Sequence, residues 1–179
     1  MSQPLVLHKI TIDTPIGEMV ALTNSEGLYL LEFTDKSNID LRLDDIAQSL
    51  NATISEEADT VGIQLENELY SYFEGKLQHF TIPVKTVGTD FQIKVWEELV
   101  KVPFGEVISY KQQAISIGRP QSVRAVANAN GANHIAIVIP CHRIIGSNGK
   151  LTGYSGGLWR KKELIKLEQK FSSQSQNLF

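Results

Sequence analysis

The one cysteine of this 179-residue chain, Cys141, stands between Pro140 and the pair His142-Arg143. A cysteine is a strong nucleophile as the thiolate, and a neighbouring histidine or arginine favours that form. The alternative is a buried cysteine that fills the core as a small apolar side chain. The two flanking residues argue against it, because charged neighbours are costly to bury. The sequence therefore predicts a presented nucleophile at Cys141.

His142 follows the cysteine directly, and this spacing limits how the two can cooperate. Neighbouring side chains point to opposite faces of a strand and lie about 100° apart around a helix. A proton relay from Cys141 to His142 therefore needs a turn or an intervening water molecule.

Glu168 is a candidate third member of such a relay. It lies four residues after Leu164 and three before Phe171, so it shares their apolar side of a predicted helix. A carboxylate that faces inward needs a partner. Two interpretations stay open: a helix-flank glutamate paired with a lysine, or a residue that orients a histidine beside the nucleophile.

The elements that position these residues are predicted from capping and periodicity. Possible capping boxes begin two helices, at Thr89 and at Ser109, each with a glutamine three residues later. The second helix stops at Gly118, and a third opens at Pro120. Two short helices about a Gly-Arg-Pro turn indicate a helix-turn-helix.

The third helix offers a face suited to nucleic acid, polar and free of acidic groups. Its polar residues are Gln121, Ser122, Arg124, Asn128 and Asn130. Beyond this helix, residues 135–139 are predicted to form a strand that ends at Cys141. Residues 144–157 form a glycine-rich loop, and a last helix begins near Leu158.

The first half of the chain has the pattern of an α/β domain and contains no nucleophile, metal cluster or phosphate loop. Three strands joined by tight turns predict an antiparallel meander, and two helices follow. The strands are residues 5–12, 18–23 and 28–33, the helices 40–50 and 63–73, with a returning strand at 80–84. We interpret this half as a supporting domain.

Charge divides the chain near its middle. Residues 1–89 contain 5 lysines and arginines against 14 aspartates and glutamates, a net charge of −9; residues 90–179 contain 12 against 6, a net charge of +6. This division indicates two domains with different tasks, the second facing a polyanion. We expect domains at residues 1–88 and 89–179, with 171–179 as a flexible tail. Charge alone does not distinguish DNA from RNA.

Composition excludes several classes of protein. No stretch approaches the roughly 20 apolar residues of a membrane span, and the first ten residues lack the features of a secretory signal. A single cysteine excludes an intrachain disulfide and a zinc site of several thiolates. We expect a cytoplasmic protein, nucleoid-associated if bacterial, with no metal or other cofactor.

Several segments between residues 89 and 171 together resemble a known family, although no single segment is specific enough by itself. They are Phe91 with Val95-Trp96, Ile108-Ser109-Tyr110, Arg124-Ala125-Val126, Asn133, Pro140-Cys141-His142-Arg143, Tyr154-Ser155-Gly156-Gly157-Leu158 and Glu168. In order and spacing they resemble the O6-alkylguanine-DNA alkyltransferases, the methylated-DNA–protein-cysteine methyltransferase family.

The resemblance implies a ribonuclease-H-like first domain, an antiparallel sheet with helices. It implies a mainly α second domain whose helix-turn-helix, of winged-helix-like type, enters the minor groove of double-stranded DNA. The implied activity is DNA repair by a monomer that flips the damaged base and moves its alkyl group irreversibly from O6-alkylguanine to Cys141. O4-alkylthymine is a second candidate substrate.

The resemblance also implies roles for individual residues. The expected catalytic residues are Cys141, His142, Glu168, Tyr110 and Asn133. The expected DNA contacts are Arg124, Tyr110, Ser122, Ala125, Asn128 and Arg143, and the expected substrate pocket is Tyr154, Ser155, Gly156, Ile139 and Trp96. Arg124 would fill the stack that the flipped base leaves, and Tyr110 would rotate the nucleotide and protonate the departing guanine.

Two positions depart from the family pattern, Ala127 in place of glycine and His134 in place of proline. They bear on how closely the helix approaches DNA and on the stiffness of the loop; we expect His134 to be an incidental loop residue. Two other classes stay open: a noncatalytic alkyltransferase-like protein that recognises alkylated bases, and a Cys-His hydrolase that turns over. The presence of Cys141 argues against the first.

Overall fold

The computed structural model describes residues 4–176, with side chains as far as residue 172. The chain divides after Val87 into two compact units. The first unit is α/β and the second is mainly helical, which confirms the coarse fold class predicted from the sequence. Within residues 4–176, no helix is long and apolar enough to span a membrane.

The first unit is built on a four-stranded sheet in the order β3-β2-β1-β4. Its elements are β1 (Leu5–Ile12), β2 (Met19–Asn24), β3 (Gly27–Phe33), α1 (Ile39–Ser49), β4 (Ala52–Ser55) and α2 (Thr60–Phe73). The predicted antiparallel meander of β1, β2 and β3 is confirmed. Because β2 and β3 are buried along their whole length, they are mostly apolar rather than alternating.

Two segments of this unit differ from the prediction. The strand β4 runs parallel to β1 over four residues, too few for a period-2 pattern to mark it. Residues 80–84 form no strand, and Val84 makes an isolated bridge with Leu28. Pro83 has no N–H to donate to a ladder; its carbonyl accepts from the Leu28 N–H at 2.8 Å.

The second unit positions the candidate site. Its elements are α3 (Asp90–Val100), β5 (Ile108–Ser109), α4 (Tyr110–Ser116), α5 (Val123–Gly131), a 3-10 helix (Cys141–Arg143), β6 (Ile144–Ile145) and α6 (Leu158–Gln176). Both predicted capping boxes are confirmed, with Thr89 capping α3 and Ser109 capping α4. Residues 171–176, expected in a flexible tail, continue α6 because no glycine or proline interrupts it. The rest of the predicted tail, 177–179, lies outside the described residues.

A buried pair of amides joins α4 to α5. Gln113 and Asn130 are 0% and 5% exposed. Each side chain donates to the other, Gln113 Nε2 to Asn130 Oδ1 at 3.2 Å and Asn130 Nδ2 to Gln113 Oε1 at 2.6 Å. Paired amides in a dry interior fix the two helices against each other. Asn130, expected on the face toward nucleic acid, is therefore buried, and it lines the cavity described below instead of an exposed face.

The predicted strand over residues 135–139 is wrong: Ile135 makes only an isolated bridge, residues 136–138 form a turn, and Ile139 is a bend. Ile137 has a φ of +69°, a left-handed conformation that no strand contains. The backbone bonds are local: the Ile139 N–H donates to the Ile135 carbonyl at 3.0 Å. All five side chains are buried, so the apolar run reflects burial and not a strand. Cys141 consequently begins a helical turn instead of ending a strand.

Candidate active site

Cys141 opens onto a cavity of about 750 Å³ in the second unit. The walls come from α4, α5 and the loop at residues 152–155. They include Tyr110, Arg124, Ala127, Asn128, Tyr154 and Ser155. The volume falls within the range of about 300 to 1,000 Å³ that is usual for small-ligand sites.

Asn133 holds the turn that presents the cysteine. Its Oδ1 accepts from the Ile135 N–H at 3.0 Å, and its Nδ2 donates to the Ile139 carbonyl at 2.9 Å. Nδ2 also lies 3.2 Å from the Cys141 sulfur. A hydrogen bond donated to sulfur favours the charged form of the thiol, so Asn133 both shapes the turn and stabilises a thiolate.

Glu168 is the centre of a buried network behind the cysteine. It is 1% exposed, and its Oε1 lies 2.7 Å from Nε2 of His142. Nε and Nη2 of Arg143 donate to its two oxygens at 2.9 and 3.0 Å, and the Gly105 N–H donates at 3.1 Å. Arg143 Nη1 donates to the Val102 carbonyl at 2.6 Å. Of the two interpretations of Glu168, the one in which it orients a histidine agrees with this geometry.

The structure contradicts the predicted role of Arg143. It was expected to contact DNA, but it is 6% exposed, and all three nitrogens of its guanidinium bond to Glu168 or to the Val102 carbonyl. A bidentate bond between guanidinium and carboxylate is among the strongest charge-assisted pairs. Arg143 therefore fixes and neutralises Glu168.

These contacts set the protonation of the pair. Burial acts to raise the pKa of Glu168, but the charges and hydrogen bonds of His142 and Arg143 outweigh it and hold that pKa well below its usual range. Burial lowers the pKa of His142 against the opposing effect of Glu168. The neutral ring then donates from Nε2 to the carboxylate and carries its lone pair on Nδ1. Nδ1 is buried and bonds to no residue that the structure describes, so it is the atom that can take up a proton.

Glu168→Gln is expected to lower the free energy of unfolding by about 3 to 5 kcal/mol, because it leaves the Arg143 guanidinium buried without a counter-charge. Urea denaturation at pH 7 measures the loss. Glu163→Gln is the matched control, since Glu163 lies on the same helix in an exposed pair with Lys166 at 3.2 Å. The control should cost less than about 1 kcal/mol. Equal losses in the two variants would contradict the stabilising role of the buried network.

The free energy of unfolding should also depend on pH, because Glu168 takes up a proton in acid. A carboxyl whose pKa is lowered by folding contributes stability that is complete above its ordinary pKa of 4.5 and is lost as the pH falls below it. Between about pH 5 and about pH 3, the wild type should therefore lose more stability than Glu168→Gln. Urea unfolding of both proteins at both pH values provides the comparison. Parallel declines would contradict the lowered pKa.

Tyr110 and a lysine that the sequence analysis missed form a second cluster. The Tyr110 hydroxyl donates to the Thr152 carbonyl at 2.8 Å. Nζ of Lys161 donates to the carbonyls of Thr152 and Gly153 at 2.9 and 3.1 Å. Helical spacing could have identified Lys161, because it precedes Glu168 by seven residues and shares its inward side of α6.

The outer face of α5 carries most of the expected DNA contacts. Arg124, Ala125 and Asn128 are exposed, and Ser122 is half-buried and makes no capping bond. Arg124 and Asn128 also line the cavity, so this helix face adjoins the nucleophile. We retain these residues as predicted DNA contacts.

Three residues expected in the pocket wall lie behind it. Trp96 is 2% exposed, and its indole N–H donates to the Ala129 carbonyl at 2.8 Å. Ile139 is equally buried in the turn held by Asn133. Gly156 is buried, and its carbonyl accepts from Arg160 Nη1 at 3.0 Å. Ile139 and Gly156 are close in sequence to Cys141 and Ser155. That closeness does not show whether a residue lines the cavity or packs behind its wall. Of the expected set, Tyr154 and Ser155 line the cavity.

One departure from the family pattern lies in the cavity wall, and the other is buried against Trp96. Ala127 adds a methyl group to the cavity wall. His134, expected to be an incidental loop residue, is 8% exposed and packs edge-on against Trp96 with 5.2 Å between ring centroids. His134 is therefore a buried residue that packs on Trp96. In the described part of the chain, no group of three or more histidine, cysteine, aspartate or glutamate side chains could hold a metal ion.

Known proteins are similar to this chain in sequence. The family model described as "6-O-methylguanine DNA methyltransferase, DNA binding domain" matches residues 90–170. A methylated-DNA–protein-cysteine methyltransferase of Methanosarcina barkeri is 45% identical over 159 residues, which cover 88% of this chain and 94% of that protein. One from Mycobacterium tuberculosis is 38% identical over 174 residues, 97% of this chain and 99% of that protein.

Solved structures share the fold as well. The crystal structure of the Mycobacterium tuberculosis O6-methylguanine methyltransferase matches with a TM-score of 0.79 at 38% identity, covering 92% of this chain and 93% of that chain. The structure of OGT from the same organism in complex with DNA gives 0.78 at 38% identity, with 92% and 94% covered. By sequence over nearly its full length, and by fold, this chain belongs to the methylated-DNA–protein-cysteine methyltransferase family.

Proposed function

We propose that this protein repairs alkylated DNA by moving the alkyl group from O6 of guanine onto Cys141. The observation that carries the proposal is that Cys141 shares one cavity with the exposed, acid-free face of α5. The cationic helix face can bind the phosphate backbone of DNA, and the nucleophile beside it can then react with a base attached to that backbone. The substrate is double-stranded DNA that contains O6-alkylguanine, and the protein acts as a monomer.

The chemistry is a displacement at a saturated carbon, which calls for a soft nucleophile in line with the leaving group. The Cys141 sulfur bonds to the alkyl carbon while the bond from that carbon to O6 breaks. The electron pair of the broken bond leaves with the guanine, and a proton delivered to the purine completes the product. The thioether that forms is inert to water at neutral pH, so each molecule acts once.

His142 and Glu168 handle the proton of the thiol. Nδ1 of the neutral imidazole takes that proton through a water molecule, and the carboxylate stabilises the imidazolium that results. Tyr110 donates to the departing guanine. Burial raises the pKa of Tyr110, so its hydroxyl is protonated at neutral pH and can act as a hydrogen-bond donor.

A guanine inside the duplex is stacked and lies beyond the reach of a buried sulfur, so the nucleotide must rotate outward. Arg124 enters the gap that it leaves. In this account the first unit has a ribonuclease-H-like topology and supports the second, which binds DNA through a winged-helix-like helix-turn-helix. O4-alkylthymine is a second substrate. The reducing cytoplasm keeps the Cys141 thiol from being oxidised.

Restoration of guanine tests the proposal. Wild-type protein is mixed with a duplex that carries one O6-methylguanine, and restored guanine should never exceed the amount of protein. A duplex with guanine at the same position is the control. Tight binding without restoration would indicate a noncatalytic recognition protein, and product beyond one equivalent would indicate an enzyme that turns over.

A further inference from the structure

The buried amide pair of Gln113 and Asn130 holds the far end of α5 against α4. At the near end, the turn at residues 117–122 joins the two helices, and there the Ser122 N–H donates to the Arg119 carbonyl at 2.8 Å. Gln113 lies in the middle of α4, and Asn130 is the next-to-last residue of α5. The chain itself therefore fixes where α5 begins, and the amide pair fixes where it ends.

The same pair is bonded to a third helix. Gln113 Nε2 also donates to the Val95 carbonyl of α3 at 3.3 Å. The Ala129 carbonyl, one residue before Asn130, accepts from the Trp96 indole at 2.8 Å. Two adjacent residues of α3 thus bind α4 and α5 at the level of the amide pair, so both helices are held on one support.

Stability alone does not explain why a polar pair lies here. The other buried residues of these three helices are apolar: Val95, Trp96, Leu99, Ala114, Val126 and Ala129. Replacing both members of a buried hydrogen-bonded pair with apolar groups of the same shape is nearly neutral or stabilising. Two reciprocal hydrogen bonds, unlike an apolar contact, are satisfied in only one placement of the helices. The pair therefore specifies geometry more than it adds stability.

The placement of α5 against α4 sets the shape of the cavity onto which Cys141 opens. Tyr110 lines this cavity from α4, three residues before Gln113, and Arg124 lines it from α5. In the proposed reaction, Arg124 enters the duplex while Tyr110 acts on the nucleotide that has left it. Both side chains must therefore fit the same stretch of DNA at once, which requires a fixed distance between the two helices.

We propose that Gln113 and Asn130 are positioning residues for the repair of duplex DNA, because their reciprocal bonds hold the helix of Arg124 in register with Tyr110. This inference rests on the proposed function. A base within DNA reaches Cys141 only while α5 is bound to the duplex, so it meets both helices in one arrangement. A free base has no such attachment and enters the cavity wherever α5 lies. The pair should therefore matter for the duplex and much less for a free base.

Gln113→Met tests the pair without altering the cavity wall, because Gln113 is fully buried and lies outside that wall. Methionine keeps the length of the side chain and forms neither bond to Asn130. The measurement is the pair of second-order rate constants for an O6-methylguanine duplex and for free O6-benzylguanine. The duplex constant should fall roughly ten- to a hundredfold, since a displacement of about 1 Å can cost a hundredfold. The free-base constant should stay near that of the wild type.

Ser116→Ala is the matched control. The Ser116 hydroxyl donates to the Gln113 carbonyl at 2.8 Å, so this bond involves the same residue but stays within α4. Its loss should leave both rate constants near those of the wild type. A duplex constant that falls as far in Ser116→Ala as in Gln113→Met would overturn the inference, because any disturbance of α4 would then have the same effect.

A double variant, Gln113→Met with Asn130→Leu, separates positioning from stability. The single change leaves the Asn130 amide buried without its partner and should lower the melting temperature followed by circular dichroism. The double change removes both amides, and leucine has nearly the shape of asparagine, so the melting temperature should return toward that of the wild type. The ratio of the duplex constant to the free-base constant should stay low, because neither side chain then specifies where α5 lies. This ratio cancels an effect of leucine on the cavity itself.

A double variant that regains both the melting temperature and the wild-type ratio would overturn the inference and leave the pair a structural one. Equal losses of the two constants in Gln113→Met would overturn it as well, because the pair would then act on the thiol or on the fold. If the single variant does not fold, the double variant provides both rate constants. The proposed function fails separately: in that case the wild type itself does not transfer methyl from the duplex, whatever the variants do.

Discussion

Cys141→Ala is expected to abolish methyl transfer and to leave binding to duplex DNA nearly unchanged. Alanine offers no nucleophilic atom, and no second cysteine is present to replace the lost thiol. Affinity for DNA comes from contacts between basic groups and phosphates, to which an uncharged or buried sulfur contributes little. Transfer of a radiolabelled methyl group to protein measures the first effect, and a binding titration at fixed salt measures the second.

Cys141→Ser is the matched control, because it keeps nearly the same volume at a site that is 7% exposed. A serine hydroxyl stays protonated near neutral pH and is a much weaker nucleophile, so this variant should also be inactive. Both variants should melt as cooperatively as the wild type. Methyl transfer that persists in either folded variant would remove Cys141 from the reaction.

Arg124→Ala should reduce the repair of duplex DNA by orders of magnitude and leave the reaction with free O6-benzylguanine almost unaffected. Arg124 is exposed on α5 and lines the cavity, so its side chain can replace a base that has left the stack. Losing it removes both a phosphate-attracting charge and the group that offsets unstacking, which costs a few kcal/mol. A free base needs no flipping. The measurement is the pair of second-order rate constants for each protein on the two substrates.

Arg119→Ala provides the comparison for charge alone. Arg119 is exposed in the turn before α5 and is not part of the cavity wall. The Arg119→Ala substitution should weaken DNA binding in a salt-dependent way and leave the rate of repair at saturating DNA unchanged. Equal losses for Arg124→Ala on duplex and on free base would assign Arg124 to the fold or to the thiolate, and the flipping role would have to be abandoned.

The sequence predicted the elements whose determinants are local. The capping boxes at Thr89 and Ser109 depend on residues three positions apart, and both helices begin where those boxes are. Glu168 was found by its spacing on an apolar helix side, and the structure pairs it with His142 across 26 residues. Spacing could show that Glu168 faces inward, but tertiary packing decides its partner.

The wrong predictions share one physical cause. The sequence shows that a residue is apolar or charged, but it does not show which structure surrounds that residue. Residues 135–139 are as apolar as a buried strand, but Asn133 binds the backbone at both ends of the segment and closes it into turns. Trp96 was expected to contact substrate and instead supports α5 from within the core. Arg143 and Lys161 are long cations whose sequence positions do not distinguish an exposed contact with phosphate from a buried bond to carboxylate or carbonyl.

Mass spectrometry of the protein after reaction with excess O6-methylguanine duplex tests the central claim most directly. The account predicts that the peptide containing Cys141 gains one CH2, that the modification survives removal of the DNA, and that it reaches a plateau at one methyl group per chain. The Cys141→Ala protein treated in the same way should gain nothing. An unmodified Cys141 peptide in a sample whose DNA has regained guanine, or a methyl group on another residue, would contradict the account.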